Sequence, residues 1–159
     1  MNFDQAFENL IGNEGGYSYH TEDKGGETMW GITYAVARSQ GYFGPMYALS
    51  RSQAKDIYWH CYWQPILASQ LPPDVCFDVF DGAVNSGVVQ SAKWLQRAIG
   101  VDDDGVIGPI TLAAAGMVPS GALRAKYNGQ RLAFMTDLPN WGSFGKGWAK
   151  RIAKNLLIV

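Results

Sequence analysis

The stretch NEGGYSYHTEDKGGETMWGIT, residues 13–33, crowds Glu14, Glu22, Asp23 and Glu27 with Thr28 among glycines and aromatic rings. Glu14 lies eleven, seven, four and three residues after Phe3, Phe7, Leu10 and Ile11, so on a helix it extends their apolar stripe. A carboxyl at the end of that helix meets the negative pole of the macrodipole, and burial acts in the same direction; both raise its pKa. An acid kept protonated near neutral pH can cleave a glycosidic bond, because the departing sugar oxygen must take up a proton as the C–O bond breaks. Read otherwise, Glu14 is a residue at a frayed helix end with its side chain in water.

Asp23 stands nine residues beyond Glu14, and Thr28 five beyond Asp23. A hairpin folding back over the helix end would bring an ionised acid and a hydroxyl opposite Glu14. There Asp23 stabilises an oxocarbenium-like centre or activates water, and Thr28 holds that water or Asp23 itself. Asp and Thr also cap turns, which accounts for both without chemistry. Glu22, beside Asp23, competes for the role of second carboxylate.

These residues resemble the EGG…D.GG.T..GIT signature of the glycoside hydrolase family 108 lysozymes, phage-type endolysins that cleave peptidoglycan. The stretch FDVFDGAVNSGVVQSAKWLQRAIGVDDDGVIGPITLAAA is similar to the predicted peptidoglycan-binding region that follows in that family. The resemblance implies that Glu14, the Glu of EGG, is the catalytic acid. The spacing of Glu14, Asp23 and Thr28 is similar to the Glu/Asp/Thr arrangement of phage lysozymes, one residue shorter before the Thr. Also implied are an N-acetylmuramidase that hydrolyses the β-1,4 bond between N-acetylmuramic acid and N-acetylglucosamine, bacterial peptidoglycan as partner, and no metal or organic cofactor. Two other functions stay open: a lytic transglycosylase, and a non-catalytic peptidoglycan-binding or secretion-assisting protein.

Composition sets the outer bounds. A chain of 159 residues, 47% hydrophobic and 13% aromatic, suffices for one compact monomeric unit with a real core. A net charge of -1 gives no basic field for nucleic acid. MNFDQAFENLIGNEGG has no basic n-region before an apolar h-region, and no window approaches a membrane span. The expectation is a protein made in the bacterial host cytoplasm without a Sec signal, reaching the wall through a holin-made hole as the resemblance implies. Cys61 and Cys76 are too few for a disulfide scaffold and read as buried thiols.

The elements that must position the acids read as mainly α, a lysozyme-like helical domain with a small glycine-rich loop or hairpin after helix 1. Helix 1 is expected over about residues 4–13, with Asp4 as N-cap and Gly15-Gly16 as stop. WGITYAVARSQG reads as a second helix, and Ser50 as the cap of a third that ends by Pro65. After LPPD come two apolar helices joined near Ser86-Gly87, then TLAAAGMV, GALRAKYNGQRLAFMTDL and GKGWAKRIAKNLL. The expected organisation is residues 1–70 as catalytic part and 71–159 as peptidoglycan-binding-like helical part, packed as a single unit.

Aromatic faces stack on the C–H patches of sugars, which makes Tyr17, Tyr19, Trp30, Tyr58, Trp59 and Tyr62 candidates to line a saccharide groove. Trp94 and Phe134 read as core. Asn85 in AVNSG is expected to be buried, and either orients a sugar N-acetyl group or caps a helix. Asp78 and Asp81 either contact substrate or brace a helix.

VDDDGVIGPIT mimics part of an EF-hand loop through Asp102, Asp104 and Gly105, but the first and twelfth ligand positions fall on Gly100 and Thr111. The better reading is a turn leading into a helix. His60 and Cys61 are neighbours on one helix, about 100° apart, and cannot face each other as base and nucleophile. With His20 and Cys76 they also lack zinc-ligand spacing. The basic tail with Lys146, Lys150, Arg151 and Lys154 could meet anionic lipid or wall polymer, but ordinary amphipathicity favours docking its apolar side, Trp148, Ile152, Leu156 and Leu157, on the core.

Overall fold

The computed structural model describes residues 1–12, 16–19, 26–119 and 121–158. Its elements are α1 (Phe3–Ile11), β1 (Ser18–Tyr19), β2 (Glu27–Met29), β3 (Ile32–Thr33), α2 (Tyr34–Ser39), α3 (Arg51–Tyr58), α4 (Pro73–Ser86), α5 (Val88–Ile99), α6 (Pro109–Met117), α7 (Ala122–Thr136) and α8 (Trp141–Leu156). The plan is mainly helical with one small sheet, the lysozyme-like class expected. No helix among the described residues is long and apolar enough to cross a membrane. Two compact units divide the chain, Asn2–Cys61 and Tyr62–Val159, with Met1 grouped in the second.

In the first unit, α1 starts and stops earlier than its apolar pattern predicts. Asn2, not Asp4, is the N-cap: its side chain accepts from the Gln5 N–H at 2.9 Å, and Gln5 Oε1 accepts from the Asn2 N–H at 3.0 Å. Asp4 instead pairs with Lys55 at 2.8 Å. Gly12, with φ at +57°, caps the far end, one turn before the expected Gly15-Gly16 stop. The helical face that motivates a buried Glu14 is therefore described only as far as Ile11.

The segment WGITYAVARSQG is only half helical. Met29 pairs with Ile32, so Trp30 and Gly31 form a two-residue turn, both at positive φ (+55° and +74°). Trp30 tolerates that strain because its indole N–H donates to the Leu49 carbonyl at 2.8 Å while its own carbonyl accepts from Tyr58 Oη at 3.1 Å. Thr33 then caps α2, accepting the Val36 N–H at 3.3 Å. Ser50 opens α3 with a capping box to Gln53, as expected. Phe7, Ile32, Met46, Leu49, Ile57 and Tyr58 form the apolar centre.

In the second unit, α4, α5 and α7 pack together, with α8 against α7. Helix α4 is buried continuously from Val75 to Ala83, which places two carboxylates, Asp78 and Asp81, inside the protein. Both brace the helices. Arg124 Nε and Asn128 Nδ2 reach Asp78 at 2.8 and 2.9 Å, while Arg131, Arg151 and Asn155 converge on Asp81 at 2.7 to 2.8 Å. Arg151 thus reaches in from a side chain still 40% exposed to pair with the buried Asp81. The apolar side of α8 docks through Ile152, which is buried, whereas Leu156 and Leu157 at its end are exposed at 46% and 81%. Trp94 is buried, its ring edge-on to Tyr127 and Phe134.

Candidate functional site

Glu14, Glu22, Asp23 and His20 lie outside the described residues. Of the three proposed catalytic residues, Thr28 is described: half-buried at the centre of β2, the middle strand of an antiparallel sheet ordered β1-β2-β3. Its neighbours across the ladder are Ser18 on one side and Thr33 on the other. Directly opposed residues of an antiparallel pair share a face, so three hydroxyl residues run across the sheet with Thr28 between them. Thr33 commits its oxygen to the α2 cap.

The opposite face of β2 carries Glu27, which pairs across the ladder with Tyr19. Tyr17 donates its hydroxyl to Glu27 Oε1 at 2.8 Å. That bond, together with the nearby carboxylate charge, raises the Tyr17 phenol pKa, since ionising the phenol would lose the hydrogen bond and set two negative charges together. Tyr17 and Tyr19 are exposed at 46% and 57%, so their rings are free to meet a ligand. Sequence reasoning missed Ser18 and Thr33 and gave Glu27, one of the four crowded acids, no role. The alternation Tyr17, Ser18, Tyr19 against Glu27, Thr28, Met29 is the signal that carries them, once the hairpin register is known.

The remaining groove candidates divide. Trp30 is half-buried and tied by its indole to Leu49; Trp59 is half-buried, 5.0 Å from the Phe3 ring in an edge contact. Tyr58 cannot line a saccharide groove. It is 2% exposed, edge-on to Phe7 at 5.6 Å, with its hydroxyl spent on Trp30. Tyr62, half-buried, belongs to the second unit.

Asn85 also departs from expectation. It is exposed, and its amide donates to the Asp81 carbonyl at 2.7 Å, one turn back in α4. The last turn of α4 has left the core by that point, so the surrounding apolar letters do not bury it.

His60 is exposed, Cys61 half-buried and Cys76 buried. No three His, Cys, Asp or Glu side chains among the described residues are grouped closely enough to hold a metal ion. Asp104, the strongest calcium-like acid, accepts from Gln96 Nε2 at 2.7 Å and the Val106 N–H at 2.8 Å. Gly108 and Pro109 then lead into α6, the turn expected.

Comparison with known proteins bears on both units. The family model described as glycosyl hydrolase 108 matches residues 7–87, and the one described as predicted peptidoglycan domain matches residues 90–153. Among solved structures, that of Brucella abortus SagA matches with a TM-score of 0.88 at 35% sequence identity, covering 97% of this chain and 91% of that one. Among curated proteins, none matches.

Proposed function

The chain belongs to the glycosyl hydrolase 108 family and is a glycoside hydrolase acting on peptidoglycan; we propose that it is an N-acetylmuramidase of endolysin type, with Glu14 as general acid. The observation that carries this reading is the match over residues 7–87, which spans the EGG motif, Asp23 and Thr28 together. In the proposed reaction, protonated Glu14 gives its proton to the glycosidic oxygen between N-acetylmuramic acid and N-acetylglucosamine. Asp23 stabilises the oxocarbenium-like sugar or activates the attacking water. Thr28 holds that water or Asp23, a role that its central place in a row of hydroxyl residues supports.

The test is Glu14→Gln on purified sacculi. It should keep the wild-type fold and lose activity by on the order of 10²- to 10⁴-fold, the usual worth of a positioned proton donor. A folded Glu14→Gln protein that clears sacculi at the wild-type rate overturns the assignment. Mass spectrometry of the released muropeptides reads the bond: reducing muramic acid ends support a muramidase, whereas reducing glucosamine or 1,6-anhydro ends overturn it.

A further inference from the structure

The two units expose different kinds of apolar side chain. Among the described residues, the large hydrophobics exposed on Asn2–Cys61 are Tyr17, Tyr19, Tyr34, Phe43 and Tyr47, all rings. On Tyr62–Val159 they are aliphatic or Met except for Phe144. A surface selected for general protein docking has no reason to exclude Leu, Ile, Val and Met. A surface selected for flat faces that meet sugar C–H groups does.

Tyr17 and Tyr19 flank β2 on the hairpin side; the other three rings belong to the segment from α2 to α3. That segment is held rigidly. Arg38 donates to the Tyr42 carbonyl at 2.8 Å, and its guanidinium lies over the rings of Tyr34 and Phe43, 4.4 and 5.6 Å from their centroids. Tyr42, half-buried, folds back over its own loop, donating to the Pro45 carbonyl at 2.9 Å, and passes so close to Gly44 that a Cβ there would lie 2.6 Å from the Tyr42 hydroxyl. Phe43, next in the chain, is 77% exposed.

Tyr47 is 68% exposed between buried Met46 and Leu49, on the short 3-10 helix Met46–Ala48 that packs against β2, the strand bearing Thr28. Beside Tyr42, Gln40, Gln53, Asp56 and His60 line an open cleft of about 230 Å³, into which none of Tyr34, Phe43 and Tyr47 projects. Such groups bond sugar hydroxyls where rings stack on sugar faces.

We propose that Tyr47, Phe43 and Tyr34 form a distal glycan-binding track that engages sugar residues of a long strand beyond those at the reacting bond. The proposal rests on the glycan-hydrolase reading and adds residues that contact remote parts of the polymer. Preordering of Tyr34 and Phe43 by Arg38 matters, because rings already fixed in place lose little conformational freedom on binding.

The test compares wild type with Phe43→Ala, Tyr47→Ala and the double variant on long uncrosslinked glycan strands and on a tetrasaccharide of the same repeat. The expected result is a KM for long strands raised about tenfold in the double variant with kcat unchanged, and wild-type kinetics on the tetrasaccharide. Both side chains are exposed, so unchanged unfolding midpoints are expected alongside. Equal KM values for wild type and double variant on long strands overturn the proposal.

NMR of the Tyr34, Phe43 and Tyr47 ring signals in Glu14→Gln protein separates this proposal from the parent reading. Shifts on adding long strands support the track even if wild type hydrolyses neither substrate, in which case the hydrolase reading alone fails. Static ring signals overturn the track whatever the hydrolysis shows.

Discussion

Arg131 of α7 sets Nη1 2.7 Å from Oδ2 of Asp81 in α4, with only 1% and 2% of the two side chains exposed. The contact is chiefly coulombic, since Nε and Nη1 of Arg131 have no well-aligned hydrogen bond. Removing the carboxylate leaves a buried guanidinium uncompensated. Asp81→Asn should therefore cost about 3–5 kcal/mol, read as a lower urea midpoint at unchanged slope. Asp81→Leu combined with Arg131→Met should recover much of the loss.

The two buried carboxylates of α4 respond to acid with opposite sign. Burial pushes the Asp81 carboxyl up, but the Arg131 and Arg151 guanidiniums outweigh it, leaving the pKa below the ordinary 3.8. Its contribution to stability is present above that value and is lost as pH falls through the depressed folded pKa. Burial wins at Asp78 over Asn128 and Arg124 and leaves the pKa raised, so its contribution is present below 3.8 and is lost as pH rises through the folded value. Asp78→Asn removes a gain made on acidification. Its unfolding free energy should fall more steeply than that of wild type between neutral pH and about 4, measured by urea titration at a series of pH values.

Gly31 meets two demands at once: φ is +74°, and a Cβ there would come within 2.8 Å of Tyr58 Oη. Gly31→Ala should destabilise by roughly 2–3 kcal/mol. Adding Tyr58→Phe removes the clashing oxygen, so the double variant should be more stable than the sum of the single changes predicts. Strict additivity in urea unfolding would show that backbone strain alone carries the cost.

Thr28→Ala deletes the central hydroxyl of the sheet without touching a core side chain. On a soluble glycan it should lower kcat on the order of 100-fold at unchanged circular dichroism, while Thr28→Ser retains most of the rate. Equal losses in both variants would assign Thr28 a packing role through its methyl group.

The thiols differ in access. Burial raises the Cys61 pKa, and at Cys76 it raises the pKa to about 11. Since the thiolate is the nucleophile, a disulfide reagent at pH 8 should modify half-buried Cys61 first and reach Cys76 only on unfolding.

Much of the helical plan was legible because burial and capping act locally. Ser50 with Gln53, Gly87 between two apolar runs, and Gly108-Pro109 each end or begin a helix through bonds within a few residues. The Trp30-Gly31 reversal was not, since a Trp at positive φ is held there by Leu49 and Tyr58, distant in sequence. Tyr58 was misread for the same reason: helical spacing fixes a direction, and the occupant of that direction, Phe7, is a tertiary matter. Asp78 and Asp81 stayed ambiguous because their partners stand 46 to 74 residues away. The hydroxyl row needed strand register, which two- and three-residue strands do not declare in their letters.

Gln96 in α5 donates to Asp104, Val106 and Thr111 and accepts from the Gly105 N–H, with 1% of its surface exposed. One carboxamide thus gathers the loop between α5 and α6 as a bound cation gathers the ligands of a chelating loop. A neutral hub has no charge to titrate and no ion to exchange. The hub is consequently written into the covalent chain, and acid reaches the loop through Asp104, whose carboxyl the Val106 N–H and the Gln96 amide hold below the usual carboxylate range.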